Sequence, residues 1–262
     1  MKTFLPQFLL MALFLWVNSA SSQGFRLGLN LAPNVSFSDA RELTHHPNGA
    51  LMHFGYGFIF DAMFTENYAV GTGINVFYAG GSMQYFEEHI GPEGRMINQV
   101  ELDQRLQYVE IPLTFKMRTK EIGYVTYYGQ FGVGLGLNVR AEGTRSMAGF
   151  AQADSTGIWT SVSNEMGPAE AVSLVDQTLL FRPSFIIGLG MERRFTGTTA
   201  LVIGLRYNMA MRNQYQAFPV YQSTSSDQLL FEFDEATGEE LPVTREMLGK
   251  TGQIELCVGL MF

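Results

Sequence analysis

The sequence is poor in cysteine, in charge and in long apolar runs. Its 262 residues include a single cysteine, Cys257, so no intrachain disulfide can form. Charged residues make up 16% of the chain, well below the roughly 25% of an average soluble domain. No internal stretch approaches the ~20 consecutive apolar residues that a membrane helix needs. The composition therefore excludes a disulfide scaffold and an internal helical membrane span.

An excess of positive charge is also absent. The formal net charge is −8 and the pI is about 5.0, which excludes the basic surface that nucleic-acid binding requires. Glycine and phenylalanine are abundant instead, with 28 and 21 residues, and apolar residues reach 46%. This combination favours a membrane β-barrel, because many aromatic residues and glycines occur without a helical span. A soluble β-sandwich is the alternative that composition leaves open.

The N-terminus has the organisation of a secretory signal peptide. Lys2 precedes an unbroken apolar run over residues 8–17, and the small residues Ala20 and Ser22 follow it at positions suited to signal peptidase. The run is too short for a membrane anchor. We predict that residues 1–22 are removed on export, and that no lipid anchor forms because no cysteine stands at the cleavage site.

The stretch LQYVEIPLTFKMR, residues 106–118, alternates between apolar and polar side chains. A period of two indicates a β-strand with one apolar face and one charged face. The apolar face carries Val109, Ile111, Leu113, Phe115 and Met117, and the opposite face carries Glu110, Pro112, Lys116 and Arg118. Because proline cannot donate to a β-ladder, we expect a bulge or a locally open pair at Pro112.

Seven further segments repeat this alternation: 25–31, 54–64, 68–78, 124–140, 181–194, 201–212 and 253–262. The connections between the eight segments are alternately long and short. The short ones are 65–67, 119–123 and 195–199, and the other four are long. Strict alternation of long and short connections is typical of an outer-membrane barrel with short periplasmic turns. We therefore predict that residues 23–262 form one eight-stranded antiparallel up-and-down transmembrane β-barrel with periplasmic termini.

The charged faces of these strands then line the barrel interior. Eight-stranded barrels are filled by side chains, and buried charges must be paired. We predict a lumen charge network of Glu110, Lys116, Arg118, Arg182, Glu192, Arg206 and Glu255. Arg26, Asp61, Arg140 and Arg194 are expected to point inward as well. The network is interpreted as a rigid plug, and an ion or proton path is the functional alternative.

Glycines recur at every second position on the same faces, at Gly132, Gly134, Gly136, Gly188 and Gly190. A phosphate-binding loop needs a strand-to-helix turn, which this spacing within strands does not provide. We expect these glycines to make room for long side chains across the lumen.

The histidine pair His45-His46 lies near Asp39 and Glu42 and raises the question of a metal site. Adjacent residues rarely ligate one ion, and no cysteine assists, so a solvated loop is the expected arrangement. Ser36 and Ser38 lie near the pair in sequence, but no motif supports catalysis. We therefore predict no enzymatic activity, no metal and no cofactor.

Acidic residues concentrate in two long connections that are predicted to form hairpins, one turning at 91–94 and the other at 236–238. Because binding residues concentrate on the loops of rigid scaffolds, we take five of them as candidate partner contacts. These are Glu87, Glu88, Asp234, Glu235 and Glu239. A calcium site and a purely solubilising role, with divalent cations bridging to lipopolysaccharide, are the alternatives.

Phe262 ends the last alternating strand and resembles the terminal aromatic signal that the barrel-insertion machinery recognises. The segments QYVEIPLTFKMR, YYGQFGVGLGLNVR and FGYGFIFDAMFTENYAVGTGINVFY resemble the PorT-like outer-membrane barrels of Bacteroidetes. The resemblance covers nearly all of the chain after residue 22. It implies an eight-stranded outer-membrane barrel without catalytic residues.

The founding member of that family is implicated in type IX protein secretion and gliding. We therefore expect a structural or accessory envelope protein whose outer loops contact partners such as secretion-complex proteins. Outer-membrane lipid and lipopolysaccharide are its expected surroundings. A minor diffusion pore or small-solute-binding barrel is the alternative function.

Overall fold

The computed structural model describes residues 24–40, 43–91, 94–153, 158–162, 165–225, 228–234 and 239–262. The predicted signal peptide, residues 1–22, lies outside this part of the chain. Within it, the only helical element is a single 3₁₀ turn, Val175–Gln177. No helix among the described residues is both long enough and apolar enough to cross a membrane.

Eight long antiparallel strands form a closed ring within the described residues. Their bounds are β1 Phe25–Ala40, β2 Leu51–Met63, β3 Tyr68–Ala79, β4 Gly94–Arg118, β5 Val125–Ala153, β6 Phe181–Thr196, β7 Thr199–Ala210 and β8 Gly249–Met261. Each strand pairs with its neighbours in sequence, and β8 pairs with β1 to close the ring. The predicted up-and-down barrel is therefore confirmed.

The connections sort to the two ends of the barrel as the sequence predicted. Residues 64–67, 119–124 and 197–198 make the short turns. Both ends of the described chain lie at this same end, where the N–H of Phe262 donates to the oxygen of Leu27 at 2.7 Å. We call it the short-turn end and the opposite one the cap end.

The outward faces of the strands form a continuous apolar belt. Phe58 is 64% exposed, Leu113 56% and Leu189 66%, although each lies in the middle of a strand. The opposite positions point inward, and Glu110, next to exposed Ile111, is fully buried. A soluble sandwich would bury its apolar face, whereas a barrel in lipid exposes it. The exposed belt therefore shows that the apolar face of 106–118 points outward, as in a barrel in lipid, and not into a soluble core.

Pro112 interrupts the ladder on one side only. Between β3 and β4 the paired residues run up to Gly71–Thr114 and resume at Asn75–Glu110. On the other side Pro112 pairs with Gly134 of β5 without a break. The expected locally open pair is therefore confirmed, and it faces β3.

Several strands extend far beyond the belt at the cap end. β4 has 25 residues and continues into the predicted hairpin that turns at 91–94, whereas β5 has 29 residues and its sequence pattern indicated only 124–140. At about 3.3 Å per residue each spans roughly 80–95 Å, well beyond the height of a membrane. β1 likewise continues past Leu31 to Ala40. The long connections are thus largely folded as sheet.

Among the described residues, ten short strands complete this folded region: His46–Gly49, Ser82–Gly91, Trp159–Ser161, Glu170–Ser173, Pro219–Tyr221, Ser223–Ser225, Gln228–Leu229, Phe231–Asp234, Glu239–Pro242 and Thr244–Glu246. Ser82–Gly91 pairs with the upper part of β4, as the predicted hairpin requires, and residues 92–93 of its turn lie outside the described residues. We call the described residues within 38–50, 80–107, 140–180 and 211–250 the cap.

A bulge in β5 reverses the side-chain alternation where the belt ends. Gln107 pairs with Arg140 while the next residue, Tyr108, pairs with Asn138, so Val139 is the extra residue. Arg140 consequently points outward, with its side chain 59% exposed, and its Nε donates to Glu142 at 2.7 Å. The prediction that Arg140 faces the lumen is therefore wrong.

Arg194 was also predicted to face the lumen. It instead lies at the short-turn end with its side chain 56% exposed and pairs with Glu121. It stands two residues before the end of β6, next to a register shift between Arg194 and Thr196. Its guanidinium therefore reaches the rim rather than the interior.

Candidate functional site

The interior nearest the short-turn end holds an ion cluster centred on Glu192. Its Oε2 accepts from Arg26 Nη1 at 2.5 Å and from Arg118 Nη2 at 2.6 Å. Its Oε1 lies 2.7 Å from Lys116 Nζ, which also donates to Asp61 Oδ2 at 2.8 Å. Strands β1, β2, β4 and β6 each contribute to this cluster, so it ties the wall together across the lumen. We call these five residues the lower layer.

A second cluster lies above the lower layer. Arg206 Nε donates to Glu255 Oε2 at 2.7 Å, and the two residues face each other in register on β7 and β8. Glu110 accepts from Ser184 Oγ at 2.7 Å and from Asn208 Nδ2 at 3.0 Å. The structure thus brings together Glu110, Arg206 and Glu255 of the predicted lumen charge network.

Arg182 joins this second cluster at its upper side. Its Nη1 donates to Asn208 Oδ1 at 3.0 Å and lies 3.7 Å from Glu110 Oε2. Ser184 and Asn208 were missed because uncharged polar residues at inward positions carry no pairing signal in a sequence. We call Glu110, Arg182, Ser184, Arg206, Asn208 and Glu255 the middle layer.

A small cavity separates the two layers. Its volume is about 40 Å³, and its wall includes Asp61, Lys116, Tyr128 and Arg206. Lys116 Nζ lies 4.4 Å from the centre of the Tyr128 ring. A cavity of this size has room for about three water molecules, so it provides no continuous aqueous path.

Inward-facing glycines make the room that these side chains occupy. A Cβ at Gly134 would overlap Glu110 Oε2 and Ser184 Oγ, and one at Gly190 or Gly204 would crowd the Tyr128 hydroxyl. The sequence predicted this spacing role for the glycines. The side chains that fill the space include a carboxylate, a serine and a tyrosine, rather than the arginines and lysines alone that we expected.

The cap closes the lumen from above with an apolar core. This core contains Phe77, Met83, Tyr85, Val100, Leu102, Leu106, Tyr108, Leu174, Tyr215, Val220 and Met247, all nearly or fully buried. It rests directly on the middle layer, since the Arg182 guanidinium carbon lies 5.3 Å from the Tyr108 ring centre and 5.6 Å from that of Phe77. Two charged layers and one apolar layer thus fill the interior in succession toward the cap end.

Two of the acidic residues proposed as partner contacts are engaged within the cap. Glu87 pairs with Arg145, and Glu88 pairs with Arg95 and accepts from Tyr221 Oη at 2.9 Å. The hydrogen bond from Arg95 holds the pKa of Glu88 below its ordinary value. Both carboxylates therefore join separate strands of the cap sheet.

Two of the other three proposed contacts, Asp234 and Glu239, belong to a separate two-stranded hairpin. Phe231–Asp234 pairs with Glu239–Pro242, with Asp234 opposite Glu239. Glu235 and the predicted turn at 236–238 lie outside the described residues. Phe231 and Phe233 on this hairpin are 44% and 61% exposed. The hairpin therefore presents aromatic side chains on a strongly acidic segment.

His45 is buried in the cap, so the prediction of a solvated loop is wrong for it. Its Nε2 lies 3.2 Å from Ser38 Oγ and its Nδ1 3.3 Å from Thr44 Oγ1. Burial lowers its pKa to about 4, with a smaller contribution from His46, and the ring is therefore neutral near pH 7. His46 is half-buried beside Ser223 Oγ at 2.8 Å. Glu42, the fourth member of the suggested metal site, lies outside the described residues.

No group of three or more His, Cys, Asp or Glu side chains suited to a metal ion occurs in the part of the chain that the structure describes. Ser38 is fully packed beside His45 and Tyr215, whose hydroxyl lies 3.4 Å from its Oγ. A substrate has no access to this serine–histidine contact. The contact thus positions β1 against the cap.

Comparisons with known proteins do not assign the chain to a family. No protein-family model and no curated protein matches the chain. Among solved structures, Neisserial surface protein A is 11% identical, with 92% of this chain and 98% of that chain covered and a TM-score of 0.40. The attachment invasion locus protein Ail of Yersinia pestis is 14% identical, with 90% and 98% covered and a TM-score of 0.34.

The outer membrane protein OprG from Pseudomonas aeruginosa is 10% identical, with 90% and 95% covered and a TM-score of 0.36. Structural similarity at these identities and TM-scores does not indicate a function. The geometry itself defines the class. The chain is an eight-stranded transmembrane β-barrel with a filled interior and a large folded cap.

Proposed function

We propose that this protein is a non-enzymatic integral barrel of a Gram-negative outer membrane, similar to PorT-like barrels. Its role is structural or accessory, and its cap contacts a partner protein, with a protein-secretion complex as the candidate assembly. In this orientation the short-turn end and both termini face the periplasm after removal of residues 1–22. Phe262 serves as the recognition signal for barrel insertion, and lipopolysaccharide surrounds the cap end of the belt.

One observation carries this proposal: the interior is closed by three successive layers. The lower and middle layers fill the lumen with paired charges, and the cap seals it with an apolar core. A filled barrel gives solutes no path through the lumen. Its function must therefore depend on contacts made by its outer surfaces. The closed interior therefore supports a scaffold over the diffusion pore that the sequence left as an alternative.

The acidic hairpin is the part of the cap best placed to contact a partner. Glu87 and Glu88 hold the cap sheet together through Arg145 and Arg95. Asp234 and Glu239 instead belong to a hairpin that forms its own two-stranded sheet, separate from the barrel, and Glu235 lies outside the described residues. Exposed aromatic residues at such a position are typical of binding surfaces.

A clean deletion in the native host, assayed for surface delivery of secreted cargo proteins, tests the proposal. We expect cargo to accumulate in the periplasm of the deletion strain and delivery to return with the wild-type gene. A triple variant with Asp234→Asn, Glu235→Gln and Glu239→Gln should not restore delivery. The matched control is Glu66→Gln at the short-turn end, which should restore it. Normal secretion in the deletion strain would reject the secretion role.

A further inference from the structure

A vestibule opens into the barrel at the short-turn end. Its volume is about 490 Å³, and Arg26, Arg118, Glu192 and Arg194 line it together with Phe262. Arg26 and Arg118 reach it from the lower layer, and their side chains remain 16% and 15% exposed. Two arginines are therefore accessible from outside although both are anchored inside the wall.

The lower layer has more positive than negative groups among the described residues. Arg26, Lys116 and Arg118 meet only two carboxylates, those of Asp61 and Glu192. Three cations against two carboxylates leave an excess of one positive charge in a largely desolvated site. Such an excess is costly unless an anion compensates it.

Hydrogen-bonding capacity is also left over in this layer. A guanidinium group has five N–H donors, and Arg118 uses Nη2 for Glu192 and Nη1 for a long contact of 3.8 Å to Met63 Sδ. Arg118 Nε is buried and has no partner among the described residues. Arg26 binds Glu192 through Nη1.

The other side chains among the described residues of the vestibule wall do not supply the missing negative charge. Glu121 is already paired with Arg194 at the rim, so the two cancel. The backbone oxygen of Phe262 accepts the N–H of Leu27 at 3.3 Å as part of the β1–β8 contact. An anion from outside therefore fits the site best.

We propose that the vestibule binds a phosphate group through Arg26 and Arg118. Arginine is suited to this ligand because its planar fork matches two phosphate oxygens and retains its charge on partial burial. The phosphate belongs either to the headgroup of an anionic phospholipid or to a free phosphate ion. This site lies at the opposite end of the barrel from the cap and does not depend on a partner there.

Isothermal titration calorimetry of the intact barrel in maltoside micelles tests the proposal directly. Sodium phosphate is the titrant, and sodium chloride keeps the ionic strength constant. We expect saturable binding that Arg118→Gln and Arg26→Gln each weaken about tenfold or more. Arg118→Lys keeps the charge but loses Nε and the fork, so it should also weaken binding while preserving the fold.

The matched control is Arg140→Gln, which removes an exposed arginine at the far end of the barrel and should leave binding unchanged. Absence of saturable binding, or equal binding in wild type and Arg118→Gln, would overturn the proposal. Repeating the titration in phosphatidylglycerol nanodiscs identifies the source of the phosphate. Loss of the free-phosphate response there supports a lipid headgroup at the site, and its persistence supports the free ion.

Discussion

Replacing Glu192 with alanine should lower the free energy of unfolding by about 3–5 kcal/mol, the typical cost of leaving buried charges without their partner. The carboxylate of Glu192 meets Arg26, Lys116 and Arg118 at 2.5, 2.7 and 2.6 Å. Its loss leaves three cations facing Asp61 alone. Urea unfolding in phospholipid vesicles, followed by far-UV circular dichroism, measures the change.

Glu142→Ala is the matched control for this prediction. It removes the same side chain from an ion pair with Arg140, but that pair lies on the outer surface with both side chains more than half exposed. Exposed pairs contribute little to stability because water screens them. We therefore expect no measurable change in the unfolding midpoint. Similar losses of unfolding free energy in the two variants would mean that Glu192 does not stabilise a buried ion cluster.

Replacing Gly134 with valine should destabilise the barrel by about 3 kcal/mol, since overpacking a filled interior forces its neighbours apart. A Cβ at this position would overlap both Glu110 and Ser184, which are themselves joined by a 2.7 Å hydrogen bond. The middle layer would have to break that bond to accept the side chain. The same urea titration, or the fraction of barrel that resists unfolding on a detergent gel, reports the effect.

Gly129→Val provides the comparison on the same strand. Gly129 faces outward, and a Cβ there has no neighbouring heavy atom within 4 Å. Valine is favourable in a strand and suits a lipid-facing position. Its unfolding midpoint should equal that of the wild type or exceed it slightly. A loss of stability at Gly129 as large as that at Gly134 would contradict the filled-lumen account.

The strands and their inward and outward faces could be predicted because both follow from short-range patterns. A period of two fixes the face of each residue from its neighbours, as in Glu110 and Ile111. The lengths of the connections then select the barrel over the sandwich. Even the open pair at Pro112 follows from local chemistry, because a missing N–H must leave one side of the ladder unpaired.

The apolar core of the cap could not be predicted in this way. Met83, Leu174, Tyr215 and Met247 come from three different long connections and meet only in three dimensions. None of them belongs to a periodic run, so each resembled an ordinary loop residue. His45 was misjudged for the same reason, because the residues that bury it are distant in sequence.

The prediction that Arg140 faces the lumen was wrong for a different physical reason. A single extra residue at Val139 reverses the side chains of β5 that follow it, as far as the next register shift at Phe150, and a bulge of this kind leaves no mark in the alternation itself. Arg26 and Arg118 pointed inward as predicted, yet their convergence on Glu192 depends on strands that lie across the lumen from one another. Pairing across a barrel is a long-range property of the closed sheet.

Single-channel recording of the purified barrel in planar lipid bilayers tests the closed interior most directly. We expect no conductance steps above the bilayer baseline, because charged layers and an apolar cap core close the lumen. Reproducible ohmic steps that scale with the amount of inserted protein would contradict it. Such steps would make the protein a pore rather than a scaffold.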